Sequence, residues 1–315
     1  MSEVSEAMQA VDAVVANVEK VIVGKKLAVQ LAVTALLAES HLLLEDVPGV
    51  GKTTLAKALA RSLDCTVQRV QFTPDLLPSD ITGVSIYRGG EFEFRPGGIF
   101  ANIVIADEIN RASPKTQSAL LEAMEERRVT VDGTTHALPR PFLVFATENP
   151  IEMEGTFPLP ESQRDRFGMK LQIGYPSLDA ELAILDAREW ADPLDALQPV
   201  VSRDAIARAI NAVHQIYVDE RVKKYLIAIV AATRNSADTR IGASPRASLQ
   251  MIRLARAYAL IQGRDYVIPD DVQTLAVPVL GHRILLSSQA LLARRPVEQI
   301  VEQAVASVPV PTRQA

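Results

Sequence analysis

The sequence predicts an α/β domain built on a parallel sheet with helices on both faces, followed by an all-helical domain. Three observations predict it. Short runs of continuous rather than alternating apolar residues recur between residues 42 and 175, as in strands buried on both faces. Segments with helical spacing separate these runs. After Tyr175-Pro176 the strand-like runs stop and only helical spacing continues, which divides the chain into residues 1–175 and 176–315.

Each element has a local reason. Strands are predicted at Leu42–Glu45, Val67–Phe72, Asn102–Ala106, Phe142–Ala146 and Lys170–Ile173, where apolar and β-branched residues cluster. Thr53–Leu63 and Lys115–Glu126 read as amphipathic helices, the second started by Ser113-Pro114. Ser85–Phe94 reads as a hairpin turning at Arg88-Gly89-Gly90, and Arg128–Leu138 as another turning at Asp132-Gly133. In the second domain, helices are expected at Asp179–Trp190, Arg203–Val218, Arg221–Thr233, Pro245–Gln262 and Pro269–Leu280, with no strand. Pro245 and Pro269 stand where helices start. Val308–Ala315 reads as a frayed tail.

Composition narrows the function classes. At 315 residues, 48% hydrophobic and 23% charged, the chain has the balance of a soluble globular protein. Its net charge of −5 argues against a surface dominated by phosphate-backbone contacts. Cys65 is the only cysteine, so no intrachain disulfide can form. His41, His136, His214 and His282 lack ligand spacing, and no metal is assigned to them. The longest apolar stretch, Leu27–Ala38, is too short to cross a bilayer, and no secretory signal pattern is present. A cytoplasmic location is expected.

Two motifs carry chemistry. In Leu42–Leu55, LLLEDVPGVGKTTL, an apolar run passes through a glycine turn into a helix. That context lets backbone N–H groups and a helix N-terminus surround phosphate oxygens. Lys52 is placed to reach the β- and γ-phosphates, and Thr53 to offer its hydroxyl to Mg²⁺. One position departs from GxxxxGK[ST]: Asp46 stands where the first glycine belongs. The second motif is Asn102–Ala106 followed by Asp107-Glu108. A buried strand ending in two acids delivers carboxylates to the ligand-binding edge of a parallel sheet. Asp107 suits Mg²⁺, through water, and Glu108 suits the general base for an attacking water. Asn149, past the run LVFATE, suits orientation of that water.

These residues resemble the AAA+ ATPases, whose core is an α/β P-loop NTPase fold with an all-α lid. Val21–Gly24 resembles that superfamily's adenine-pocket segment, and the hairpins match the helix-2 insert and pre-sensor-1 hairpin of one clade. Within the clade, EDVPGVGKTTLA, ADEINRASPKTQSALLEAMEE, FATENPIEMEGTFPLPESQRDRF and GASPRA resemble the MoxR family over residues 10 to 300.

The resemblance implies binding of ATP and Mg²⁺. It assigns the nucleotide to Val23, Gly24, Pro48, Gly49, Val50, Gly51, Lys52, Thr53 and Thr54, and the metal to Thr53 and Asp107. It implies that Arg166 is an arginine finger acting on a neighbour's nucleotide, with Arg164 its competitor. Arg246 is implied as a second sensor reaching from the lid to the γ-phosphate, completing a catalytic set with Lys52, Asp107, Glu108 and Asn149. It further implies a hexameric ring, a separate partner with a von Willebrand factor A domain, and remodelling or maturation of a client protein. Nucleic acid and membrane insertion are not expected.

Three other readings are open to the sequence. One is the ATPase subunit of a magnesium or cobalt chelatase. Another is a nucleic-acid motor gripping through Arg88, Arg95, Arg127, Arg128 and Arg140. The third is a nucleotide-binding scaffold without turnover, against which Glu108, Asn149 and the two arginines stand.

Overall fold

The computed structural model describes residues 3–47, 49–148 and 155–311. Helices α1 (Glu3–Glu19) and α2 (Lys26–Leu37) precede β1 (Leu42–Glu45), which leads through the glycine turn into α3 (Lys52–Ser62). Next come β2 (Val67–Gln71), α4 (Pro78–Thr82) and the hairpin β3 (Val84–Arg88) with β4 (Glu91–Arg95). They are followed by β5 (Ile103–Asp107), α5 (Pro114–Glu126) and the hairpin β6 (Arg128–Val131) with β7 (Thr134–Ala137). Strand β8 (Leu143–Glu148), α6 (Glu161–Arg164) and β9 (Met169–Leu171) complete the sheet region. Helices α7 (Leu178–Arg188), α8 (Arg203–Val213) and α9 (Glu220–Asn235) follow. After them come β10 (Thr239–Ile241), α10 (Pro245–Ile261), α11 (Pro269–Leu280), β11 (Leu285–Leu286), α12 (Ser288–Leu292) and α13 (Val297–Ser307).

The five predicted strands form one parallel sheet in the order β2-β5-β8-β1-β9. Their continuous apolarity is explained by burial on both faces. Leu42, Leu44, Ile103, Ile105, Leu143 and Phe145 join the core on the side of α1, α2 and α3. Leu43, Val104, Ala106, Val144 and Ala146 face the other way, onto Leu120, Leu121 and Met124 of α5. The first core extends without a break into α8–α11, so α1 and α2 are shared between the sheet and the C-terminal helices.

Both hairpins fold as two-residue turns at Gly89-Gly90 and Asp132-Gly133, all four with positive φ. That is the conformation a tight hairpin requires. Phe94 of β4 stacks on His136 of β7 with ring centroids 3.7 Å apart, joining the two hairpins. One expectation is corrected. The C-terminal region does contain strands: β10 and β11 pair antiparallel. They are three and two residues long, too short to carry a period in sequence.

The amino edge of the sheet is closed by His41. Its buried ring accepts from the Val144 N–H at Nδ1 (3.1 Å) and donates from Nε2 to the Met124 carbonyl (3.1 Å). Burial lowers its pKa from 6.5 to about 4, aided by the charge of Arg127 and opposed by the bond to Met124. The folded ring takes its proton later than the unfolded one as pH falls. Stability present above pH 6.5 is therefore lost progressively down to about pH 4. The full loss for this ring is about 3 kcal/mol. Denaturant unfolding recorded between pH 7 and pH 4 should show this decline, and it should be shallower in a His41→Gln variant.

Candidate functional site

The carboxyl edges of β1, β5 and β8 lie side by side, so the segments that follow these strands converge. After β1, Gly49 and Gly51 have φ of +84° and +95°. A Cβ at either would touch nothing, so backbone conformation, not packing, calls for glycine there. Gly51 opens α3 with no side chain capping the helix, which leaves its first N–H groups available to an anion.

Lys52 donates from Nζ to the Asp46 carbonyl at 2.6 Å. Burial pushes its ammonium below the ordinary lysine range, opposed by the charges of Asp46, Asp107 and Glu108. The lysine of one motif thus lies within the field of both acids of the other. Strand β5 is buried throughout. Its last residue, Asp107, accepts from Arg69 Nε at 2.6 Å and from the Thr147 hydroxyl at 3.3 Å. Glu108 has φ of +56°, so the chain turns sharply at the strand end. Its backbone N–H donates to Thr147 Oγ1 at 2.9 Å, and its Oε2 accepts from Gln71 and Arg111, both at 3.0 Å.

Val50, Gly51 and Thr54 border a cavity of about 170 Å³ together with Val21, Ile22 and Val23. Ile184 and Arg188 of α7 close its far side. Gly24 falls outside this lining and belongs to a neighbouring hollow. A Cβ on Gly24 would stand 3.0 Å from that of Ala180, so α7 packs directly on it. Pro48 and Asn149 lie outside the described residues. Hard oxygen donors for a divalent cation are present in the Asp107 carboxylate and the Thr53 hydroxyl; among the described residues no cluster of three or more His, Cys, Asp or Glu side chains forms a metal site.

The two arginines behave differently from the expectation for Arg246. Arg166 Nε and Arg246 Nη2 bind the two oxygens of one carboxylate, Glu125, at 3.3 and 3.0 Å. Glu125 is near the end of α5, adjacent to Met124, whose carbonyl holds His41 just before β1. Both arginines therefore sit at the amino edge of the sheet, whereas Lys52 sits at the carboxyl edge. Four-residue β1 alone separates these edges by about 13 Å. Arg246 does not stand beside Lys52 of its own subunit. The reason is the packing of α10 on α2, which carries the start of α10 to the wrong edge for a contact within one chain.

Residues the sequence reading missed hold this arrangement. Arg283, buried after α11, donates to Asp165 Oδ1 at 2.7 Å, to the Gly168 carbonyl at 3.2 Å, and to Phe167, Val279 and Gln250. It fixes the segment that bears Arg166 to the helical region that bears Arg246. Burial lowers its pKa to about 10, opposed by Asp165. No local pattern marks Arg283, because its partners Asp165, Phe167 and Gly168 are over a hundred residues away. Arg69 and Gln71 did leave a signal: polar residues two apart on a strand flanking the acid-bearing strand.

A family model described as ATPase family associated with various cellular activities (AAA) matches residues 41–169, and one for an AAA lid domain matches residues 231–304. The uncharacterized YeaC protein of Bacillus subtilis is 50% identical over 303 residues, covering 96% of this chain and 95% of YeaC. Chaperone MoxR1 of Mycobacterium tuberculosis is 44% identical over 310 residues, covering 94% and 81%. Among solved structures, a Cytophaga hutchinsonii protein superimposes with a TM-score of 0.91 at 37% identity, covering 98% of this chain and 97% of its own.

Among the described residues, the Thr147 hydroxyl joins Asp107 to the Glu108 amide. Replacing it by isosteric valine leaves that part-buried N–H unpaired, a cost of about 1–3 kcal/mol. Denaturant unfolding of Thr147→Val should show a loss of this size; unchanged stability would mean that the hydroxyl bridge is not holding the strand end.

Proposed function

This chain belongs to the MoxR family of AAA ATPases, and from that premise we propose that it hydrolyses ATP with Mg²⁺ in a ring of its own subunits to remodel or mature partner proteins. The observation that carries the reading is the separation of two sets of charges. Lys52, Asp107 and Glu108 share one sheet edge, while Arg166 and Arg246 share the other.

The loop from Gly49 to Thr54 wraps the phosphates with backbone N–H groups, and Lys52 transfers from the Asp46 carbonyl to the β- and γ-phosphates. Thr53 and Asp107 would hold Mg²⁺, Asp107 through water, with Arg69 yielding its place on the carboxylate. When bound, the ion neutralises charge developing between the β- and γ-phosphates. Glu108 takes the proton of the attacking water, its carboxylate aimed by Gln71 and Arg111. Asn149 orients that water. Nucleotide carbon and base contacts fall to Val23 and its neighbours.

The arginines complete a neighbour's site. Their pairing with Glu125 is 29–40% exposed at every member, and surface pairs of this kind are worth only about 0–1 kcal/mol. Exchange of that carboxylate for a phosphate therefore costs little. Two different surfaces meeting head to tail generate a closed ring when the rotation per subunit permits. A hexamer fits the family resemblance. Exposed apolar residues Leu178, Leu182 and Leu185 line one face of α7, with Tyr175 and Trp190 beside its ends. Such a stripe supports association rather than a solitary subunit.

Chaperone work is carried over from the name of MoxR1, and a separate partner with a von Willebrand factor A domain from the resemblance of the motifs. The first hairpin exposes Tyr87 and Phe92 as a ring pair 5.1 Å apart, a surface suited to protein more than to phosphate backbones. Among the described residues, no helix is long and apolar enough to cross a membrane.

ATPase rate measured against protein concentration, with molar mass followed by light scattering, should climb as a larger species appears. A constant rate at constant monomer mass would remove the arginines from the reaction. Glu108→Gln should keep nucleotide binding and lose about 100-fold or more in turnover. Mixing Lys52→Ala with Arg166→Ala subunits should restore part of the activity, since one kind of mixed interface is intact; exchanged but inactive rings would overturn action between subunits.

A further inference from the structure

Asp46 replaces the glycine with which the phosphate-loop signature begins, and the structure gives its carboxylate three backbone donors. Oδ1 accepts from the Val47 N–H at 2.9 Å. Oδ2 accepts from the N–H groups of Ile173 and Gly174 at 2.7 and 2.6 Å. Those two amides belong to the segment that leaves β9 and turns at Gly174, whose φ is +67°. Only Tyr175, Pro176 and Ser177 then separate it from α7, where the Ser177 hydroxyl caps the helix through the Ala180 N–H. Lys25 braces the same turn by donating to the Tyr175 carbonyl at 2.7 Å.

The backbone half of Asp46 meets the glycine loop. Its carbonyl is the acceptor of Lys52 Nζ. One residue thus touches the lysine that reads the nucleotide through its backbone, and the exit toward α7 through its side chain. At its far end α7 lines the nucleotide cavity with Ile184, Ala187 and Arg188.

We propose that Asp46 is a positioning residue that couples the phosphate loop to the hinge between β9 and α7. Charge-assisted bonds to the Ile173 and Gly174 amides make the coupling stiff. When phosphates order the loop and draw Lys52 away, the displacement of Asp46 passes directly to the hinge, and α7 closes on the base. A glycine at position 46 would build the same loop and leave the hinge unattached. The proposal rests on the ATPase reading only in requiring that the loop bind nucleotide phosphate.

Hydrogen exchange at the two amides reads the coupling in single subunits. In the natural protein, Mg²⁺ with a slowly hydrolysed ATP analogue should slow exchange of the Ile173 and Gly174 amides by about fivefold or more. Asp46→Asn and Asp46→Gly should bind the analogue within about threefold of the natural protein. Neither should show the slowing, and kcat should fall about tenfold with KM nearly unchanged. The glycine variant guards against a folding failure, because glycine is the residue the loop signature itself carries. Slowing that persists in both variants, or full kcat, overturns the proposal. Loss of analogue binding in both would assign Asp46 to building the loop and overturn the coupling. Failure of the natural protein to bind the analogue would instead overturn the ATPase reading.

Discussion

Parallel strands place all their carboxyl ends along one edge of a sheet and all their amino ends along the other, so the two edges acquire different chemistry. In this chain β1, β8 and β5 are neighbours, and that adjacency alone brings Lys52 into the field of Asp107 and Glu108. The amino edge is equally organised. His41, Met124 and Val144 close it with two hydrogen bonds, and Glu125 gathers Arg166 and Arg246 beside them. A subunit with Lys52 at one edge and Arg166 and Arg246 at the other cannot bring the three side chains together within itself.

Arg283 makes the second edge rigid. Its guanidinium is buried, and a buried charge persists only where it is fully paired. Acceptors from Asp165, Phe167, Gly168, Gln250 and Val279 meet that demand. They belong to the segment after α6, to α10 and to α11, so satisfying one cation ties sheet and helices together. The same economy governs the carboxyl edge, where the Thr147 hydroxyl serves both Asp107 and the Glu108 amide. In each case one side chain ties together segments that belong to different elements.

Much of the architecture was legible because its signals are local. All five strands, both hairpin turns and the start of α5 at Ser113-Pro114 follow from apolar runs, paired turn residues and capping. The glycine turn after β1 was legible for the same reason: Gly49 and Gly51 act through backbone conformation two residues apart. The short pair β10 and β11 was hidden, since two or three residues cannot display a period. Arg283, Thr147 and Glu125 were hidden because their meaning lies in partners distant in sequence.

Asp46 shows the division most clearly. In sequence it is a departure from a pattern and carries no sign of what it does. In the fold its carboxylate meets two amides 127 and 128 residues away. The sequence by itself determined the five strands of the sheet, both hairpins, the glycine turn after β1 and the acids that end β5, since each depends on neighbours a few residues apart. Only the tertiary structure decided which edge each charged group occupies, which arginines share a carboxylate and what Asp46 holds, because strand order and helix packing alone bring distant segments within hydrogen-bonding distance.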